Sequence, residues 1–259
     1  MNMVFNAPDF GAFDLSSLQR ITYGAAPMSL GLLRRVMAAL PGVDFYQGYG
    51  ATETGPLISA LHPDAHDPDG PLVDKLASVG KPASHCDVRV VAPDGTQCAP
   101  GVVGEVAVRG PNVMQGYWNM PEKTAEVLVH GWYHTGDGGY FDADGYLFLV
   151  DRIKDMIISG GENIYSGEVE NALSSYPAVK DCAVIGVPHA HWGEAVHAVI
   201  VPMDGQTVTA EDLIAHCRTQ IAGYKCPKSV SFIEKMPLSA ANKVLKTELR
   251  AAHAASTNA

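Results

Sequence analysis

The chain has 259 residues, 47% of them hydrophobic, and a formal net charge of −10. That length supports a sizeable core in one large or two smaller domains, while the acidic balance excludes a general nucleic-acid surface, which needs clustered Lys and Arg. Cys86, Cys98, Cys182, Cys217 and Cys226 are odd in number, widely spaced and without a CxxC pair, which reads as a reduced, cytoplasmic protein with neither a disulfide frame nor a zinc knuckle.

No apolar run approaches the roughly 20 residues of a transmembrane helix, and Met1 to Asp14 lacks the basic-then-apolar order of a signal peptide. In chain order, the first segment alternates as in an α/β fold. Ser29 to Ala39 predicts a helix, with Leu32, Leu33 and Val36 at helical spacing. Val43 to Tyr46 reads as a short strand entering a Gly-rich turn at Gly48 and Gly50, and residues 62–75 as a loop. Asp87 to Val91 and Gly104 to Arg109 alternate around turn residues such as Pro93-Asp94-Gly95, which predicts antiparallel strands of a small β-barrel. Asp142-Ala-Asp144-Gly145 marks a second hairpin, ahead of a domain boundary at Asp151-Arg152.

Beyond the boundary the pattern is that of a compact α+β module, of a size that folds alone. Lys154 to Ser159 reads as a strand, and Ser166 as the cap of a helix carrying Val169, Ala172, Leu173 and Tyr176 on one face. Val179 to Val187 and Ala195 to Val201 are apolar strands. Thr209 with Asp212 approximates a capping box for a helix with Leu213, Ile214, Cys217 and Ile221 inward. Val230 to Ile233 is a last strand and Lys243 to Ala254 a last helix.

Chemistry is carried by short motifs. In Tyr46-Gln-Gly-Tyr49-Gly50-Ala-Thr52-Glu53-Thr54 the glycines let backbone approach a ligand closely. Thr52 offers a hydroxyl and Glu53 a carboxylate, a pair suited to a phosphate oxygen and the Mg²⁺ bound to it. Taken alone, the segment reads equally as a tight turn with a solvated Glu, and it lacks the GxGxxG of a dinucleotide fold. In Trp132-Tyr-His-Thr-Gly-Asp137 the carboxylate can accept hydrogen bonds from the vicinal hydroxyls of a ribose, or make an Asx turn. Asp151-Arg152-Ile-Lys154-Asp-Met-Ile-Ile-Ser159-Gly160-Gly161-Glu162-Asn163 joins an always-charged guanidinium, fit for phosphate or ribose, to a Gly-rich loop ahead of a helix. Its simpler alternative is a domain junction and a tight turn. In Pro237-Leu-Ser-Ala-Ala-Asn242-Lys243, the lysine is either a solvated charge or a cation for developing phosphate charge.

In this order, from Gly24-Ala25-Ala26-Pro27 to Lys243, the motifs resemble the superfamily of adenylate-forming enzymes: acyl-CoA synthetases, firefly luciferase and the adenylation domains of peptide synthetases. Gly160-Gly-Glu-Asn-Ile-Tyr165 is similar to acyl-CoA ligases, particularly the bacterial fatty-acyl-CoA ligases. The resemblance implies that 1–151 is the C-terminal part of the large AMP-binding domain, an α/β segment with a small β-barrel. It makes 152–259 the small α+β lid domain. It further implies ATP or AMP as ligand, with Tyr49 packing on adenine, Gly24, Ala25, Ala26 and Pro27 lining its other side, and Gly50 in the adenine-side turn. Thr52 contacts phosphate and Glu53 binds Mg²⁺. Asp137 holds the ribose hydroxyls with Arg152 assisting. Lys154 is the hinge, and Lys243 contacts the substrate carboxylate and α-phosphate. Ser159, Gly160, Gly161, Glu162 and Asn163 shape the channel for the thiol of coenzyme A. Asn242 stands where the family usually has Gly and tolerates left-handed backbone nearly as well.

The same resemblance implies an N-terminal half whose Ser/Thr/Gly-rich loop, ending in Pro-Lys-Gly, grips the β- and γ-phosphates. Neither that loop nor a Walker-type GxxxxGK[ST] occurs in the sequence. The chain is therefore expected to be a truncated product, incompetent for adenylation unless a second chain supplies the loop. Its expected partners are a small carboxylic acid, with a fatty acid ahead of aromatic acids, and a complementing N-terminal half or a second copy in a homodimer that covers an exposed face. Three rival readings stand beside this one. The chain could be a non-catalytic module that keeps an AMP-like site, or an adenylating enzyme whose acceptor is a carrier-protein phosphopantetheine or water. The third is a metal-dependent hydrolase built from the ten histidines. Its clusters, His62 with His66 and His189 with His191, lack an HExxH helix and read as surface or loop groups.

Overall fold

A parallel strand pair opens the fold of this computed structural model, which describes residues 5, 10–25, 28, 30–239 and 243–257. Strand β1 (Arg20–Gly24) and helix α1 (Leu30–Ala39) lead to β2 (Asp44–Tyr49), parallel to β1. The helix forms because its apolar residues recur at helical spacing, and it buries Leu33 and Val36 against Tyr23, Leu40, Phe45 and Leu76. Each such side chain contributes about 1.5–3 kcal/mol on burial. The sequence reading ended the second strand at Tyr46, but the strand runs on to Tyr49 and pairs Gly48 with Gly24. A Cβ on Gly24 would lie 2.2 Å from the Gly48 carbonyl oxygen, so the two strands can meet there only as glycine. Strands β3 (Ser59–Leu61) and β4 (Lys81–Pro82) complete the sheet in the order β1-β2-β3-β4.

A second sheet contains β5 (Asp87–Val91) and β6 (Gly104–Arg109), then, after helix α2 (Pro121–Val127), β7 (Leu128–Val129), β8 (Trp132–Phe141) and β9 (Leu147–Arg152). Its order is β5-β6-β8-β7, with β9 also on β8. Ile58, Val79, Val90, Val106, Val108 and Leu147 form its core. The turn before β9 is held by Lys75, whose ammonium meets the Asp144 and Asp142 carboxylates at 2.7 and 2.9 Å. These bonds, Asp144's first, hold the lysine above its usual range.

The chain divides into two compact units, Met1–Leu149 and Val150–Ala259. The second starts from the end of β9 and continues through β10 (Ile157–Ser159), β11 (Glu162–Ile164), α3 (Ser166–Ser174), β12 (Val179–His189), β13 (Gly193–Pro202), α4 (Ala210–Gln220), β14 (Ser229–Phe232) and α5 (Lys246–Thr257). In β13, Val196, Ala198 and Ile200 face the core formed with α3 and α4. Ala195, Val199 and Val201 face the one formed with Met236 and with Leu249 of α5. Both faces of the sheet are covered, and its central strands therefore read as continuous apolar runs. The Thr209–Asp212 capping box is present, the Asp212 amide donating to Thr209 Oγ1 at 3.1 Å.

Local differences from the sequence reading have physical causes. Ile153–Asp155 is a single 3₁₀ turn, and the strand after it starts only at Ile157. Ser166 is the first residue of α3 and not its cap. Its amide and hydroxyl both donate to Asp151 Oδ2, at 2.5 and 2.6 Å, an acceptor 15 residues upstream. The last helix starts at Lys246 because main-chain bonds hold the stretch before it: Leu238 bridges Val244, and the Leu245 amide donates to the Pro237 carbonyl. His66 is no surface group, since it is buried with Nε2 2.8 Å from Tyr23 Oη.

Candidate functional site

The end of β2 delivers Tyr49 into a turn that only glycine allows. A Cβ on Gly50 would sit 1.7 Å from the Pro56 carbonyl oxygen. The Ile58 amide donates to the Tyr49 carbonyl at 2.7 Å and closes the loop. Inside it, Thr52–Thr54 makes a single 3₁₀ turn, pinned by the buried Thr54 hydroxyl, which accepts from the Ala51 amide at 3.0 Å. Thr52 is thereby left exposed and Glu53 half-buried. The connection between β6 and α2 holds this loop in turn. The Asn112 amide donates to the Thr54 carbonyl at 2.7 Å, the Met114 amide to the Glu53 carbonyl at 2.7 Å, and the Tyr117 phenol to Glu53 Oε1 at 2.9 Å.

Asp137 lies in the middle of β8, where the β6–β8 register shifts between Glu105 and Ala107 and Gly136 takes a φ of 72°. Glu105 accepts from the Gly136 amide at 3.0 Å through Oε1 and sits 2.8 Å from His134 Nδ1 through Oε2. Buried Thr135 donates to the Val106 carbonyl at 2.9 Å and accepts from the Asp137 amide at 3.0 Å. This irregularity re-aims the carboxylate. Asp137 Oδ2 accepts the Tyr49 phenol at 2.7 Å, which joins two motifs 88 residues apart.

The first unit thus gathers Gly24, Tyr49, Gly50, Thr52, Glu53 and Asp137 around the ends of β1 and β2 and the kink of β8. Ala25 follows Gly24 with a left-handed φ of 65°, while Ala26 and Pro27 lie outside the described residues. Tyr117, Thr135 and Glu105 complete the arrangement. Thr135 lies within the Trp132–Asp137 motif, whereas no sequence spacing singled out Tyr117 or Glu105, whose contacts run to other elements or to neighbours across the sheet.

The remaining candidates belong to the second unit. Arg152 and Lys154 are exposed, at the end of β9 and in the 3₁₀ turn after it. Lys243 is exposed too, its amide donating to Ser239 Oγ at 3.2 Å, and its neighbour Asn242 is outside the described residues. Ser159 to Asn163 is not an irregular loop but the tip of a hairpin. Ser159 pairs with Glu162, and Gly160 and Gly161 have φ of 62° and 86°, both left-handed as a two-residue turn between twisted strands requires. The Gly160 amide donates to the Trp192 carbonyl at 2.9 Å and ties the tip to the start of β13.

The donor set suits a nucleotide and its metal. Among the described residues, Glu53 has no cationic partner, and no group of three or more His, Cys, Asp or Glu is gathered for a metal. One half-buried carboxylate beside an exposed hydroxyl matches Mg²⁺, which takes one or two protein carboxylates and leaves its other positions to phosphates and water.

Two family models match the chain. The model for the AMP-binding enzyme matches residues 1–118, and that for the AMP-binding enzyme C-terminal domain matches residues 168–243. The chain is 49% identical to a feruloyl-CoA synthase of Amycolatopsis sp over 94% of its own length and 48% of the relative's. It superposes with a TM-score of 0.88 on the amide bond synthetase McbA from Marinactinospora thermotolerans, at 38% identity, covering 97% of this chain and 50% of that one. The o-succinylbenzoate CoA synthetase of Bacillus subtilis, in complex with its acyl-adenylate intermediate, gives a TM-score of 0.85 at 36% identity, covering 96% of this chain and 49% of that one. The chain spans about half the length of the curated relatives it matches. Matched at both ends by AMP-binding models and throughout by adenylate-forming structures, it belongs to the family of AMP-binding, adenylate-forming enzymes.

Proposed function

We propose that the protein carrying this chain joins a hydrophobic carboxylic acid to the thiol of coenzyme A in two steps driven by ATP. A carboxylate oxygen attacks the α-phosphorus, and the bond to the departing pyrophosphate breaks. The thiol sulfur then attacks the acyl carbon of the mixed anhydride, AMP leaves, and the thiol proton passes to solvent. Asp137 accepts the ribose hydroxyls while Tyr49 fixes its carboxylate and flanks the adenine. Thr52 donates to a phosphate oxygen, and Arg152 supports the ribose. Glu53 would hold Mg²⁺, which when bound would supply neutralisation of phosphate charge. Lys243 brings a cation to the α-phosphate, and the Gly160–Gly161 tip borders the path of the thiol.

The observation that supports this reading is the 2.7 Å bond between Tyr49 and Asp137, which joins the turn after β2 to the carboxylate of β8. Aromatic acids of the ferulate kind are the first substrates to try, supported by the 49% identity to a feruloyl-CoA synthase, and medium or long fatty acids the second. The test is pyrophosphate release and thioester formation from ATP, coenzyme A and both acid classes. Asp137→Ala is expected to lower kcat/KM for ATP about 100-fold, roughly 2.7 kcal/mol of charge-assisted hydrogen bonding. Unchanged ATP kinetics in that variant, or no pyrophosphate with any acid, overturns the proposal.

A further inference from the structure

Glu53 is the carboxylate on which the metal reading rests, and its charge is answered by a phenol. Tyr117 donates to Oε1 at 2.9 Å, and no Lys, Arg or His is paired with this carboxylate among the described residues. The tyrosine is itself fixed. Its amide donates to Thr124 Oγ1 at 2.9 Å, and that hydroxyl donates to the Met120 carbonyl at 2.8 Å at the start of α2. Gly116 before it packs so closely that a Cβ would lie 2.9 Å from Thr124. Lys123 Nζ stands 5.0 Å from the centre of the Tyr117 ring. Two residues upstream of Gly116, the Met114 amide holds the Glu53 main chain at 2.7 Å. One segment therefore grips both the backbone and the carboxylate of Glu53.

We infer that Tyr117 is a positioning residue that makes Glu53 a one-oxygen ligand. With Oε1 engaged by the phenol, Oε2 is the atom presented to a cation, and the carboxylate cannot swing to bind through both oxygens. A near-octahedral Mg²⁺ that must also accept phosphate oxygens and water is served by such a restrained, monodentate group. This inference rests on the reading of Glu53 as the metal ligand.

The test compares Tyr117→Phe, Glu53→Gln and the double variant in the protein carrying this chain. Mn²⁺ binding in the presence of a non-hydrolysable ATP analogue is read by electron paramagnetic resonance. The adenylation step and thioester formation from supplied acyl-adenylate are read separately. Tyr117→Phe is expected to weaken Mn²⁺ about tenfold and slow adenylation similarly, leaving thioester formation within about twofold. The double variant is expected to be no worse than Glu53→Gln. Additive losses, or Tyr117→Phe behaving as wild type while Glu53→Gln fails, overturn the role of Tyr117 and leave the functional reading standing. Normal Mn²⁺ binding in Glu53→Gln overturns the functional reading itself. Should Tyr117→Phe not fold, the ¹³Cζ resonance of Tyr117 in the otherwise native protein decides the matter. It moves on Glu53→Gln if the bond exists and stays in place if it does not.

Discussion

His197 projects from β13 into the face that α5 covers, with its ring 4.2 Å from that of His253 and its nitrogens 2.7 and 3.0 Å from Ser229 Oγ and Ser231 Oγ. Burial first, and then His253, hold its pKa down from 6.5 to about 4. In the first unit, burial lowers the pKa of His66 as well. A histidine depressed on folding stays neutral in the native state while the unfolded chain takes up a proton. Stability is then fully present above the unfolded pKa and falls as the pH drops from about 6.5 towards 4. Denaturant unfolding at pH 7 and pH 5 is expected to differ by about 2 kcal/mol through His197, and His197→Asn to remove that part of the difference. Residues of this kind are hard to read from sequence, because nothing in Ala195 to Val201 tells which face the polar member meets. Thr52, Glu53 and Asp137 could be singled out because their chemistry sits in short local motifs. Tyr117, 64 residues from Glu53, could not.

At the scale of the element, periodicity found α1, the paired strands β12 and β13, and the α4 capping box, since each is written in residues that are close along the chain. It failed where a distant group completes the element. The first turn of α3 has no cap of its own and borrows the Asp151 carboxylate, which takes both the amide and the hydroxyl of Ser166. Lys246 joins the same cluster by donating to Ser166 Oγ and pairing with Glu170 at 2.8 Å. Asp151→Ala leaves a buried hydroxyl and a helix-end amide without their acceptor. It is expected to cost the second unit about 1–3 kcal/mol. The check is hydrogen exchange, where amides at the start of α3 should lose protection before those of β12. Unchanged protection there would show that the carboxylate is dispensable as a cap.

At the scale of the whole molecule, the candidate groups are shared between two units, each with its own core. Glu53 and Asp137 belong to the first, and Lys243 and the Gly160–Gly161 tip to the second. Under the proposed function, the two half-reactions would call on different groups of this set. Lys243→Ala is expected to lower adenylation by about 100-fold or more, while thioester formation from a supplied acyl-adenylate keeps most of its rate. Measuring the two half-reactions separately decides it, since equal losses in both would remove Lys243 from its proposed role. The broad architecture was readable because α/β alternation, hairpin turns and a compact terminal module leave separate marks along the chain. The joining of Tyr49 to Asp137 was not, because a bond across 88 residues has no local trace.

The Gly160–Gly161 turn has one more consequence. Both residues already hold the left-handed angles the bend needs, and Ser159 and Glu162 are already paired beneath them. On the proposed path of the thiol, a tip shaped in this way would not have to order its own backbone as coenzyme A arrives, and that part of the encounter would carry little entropic penalty.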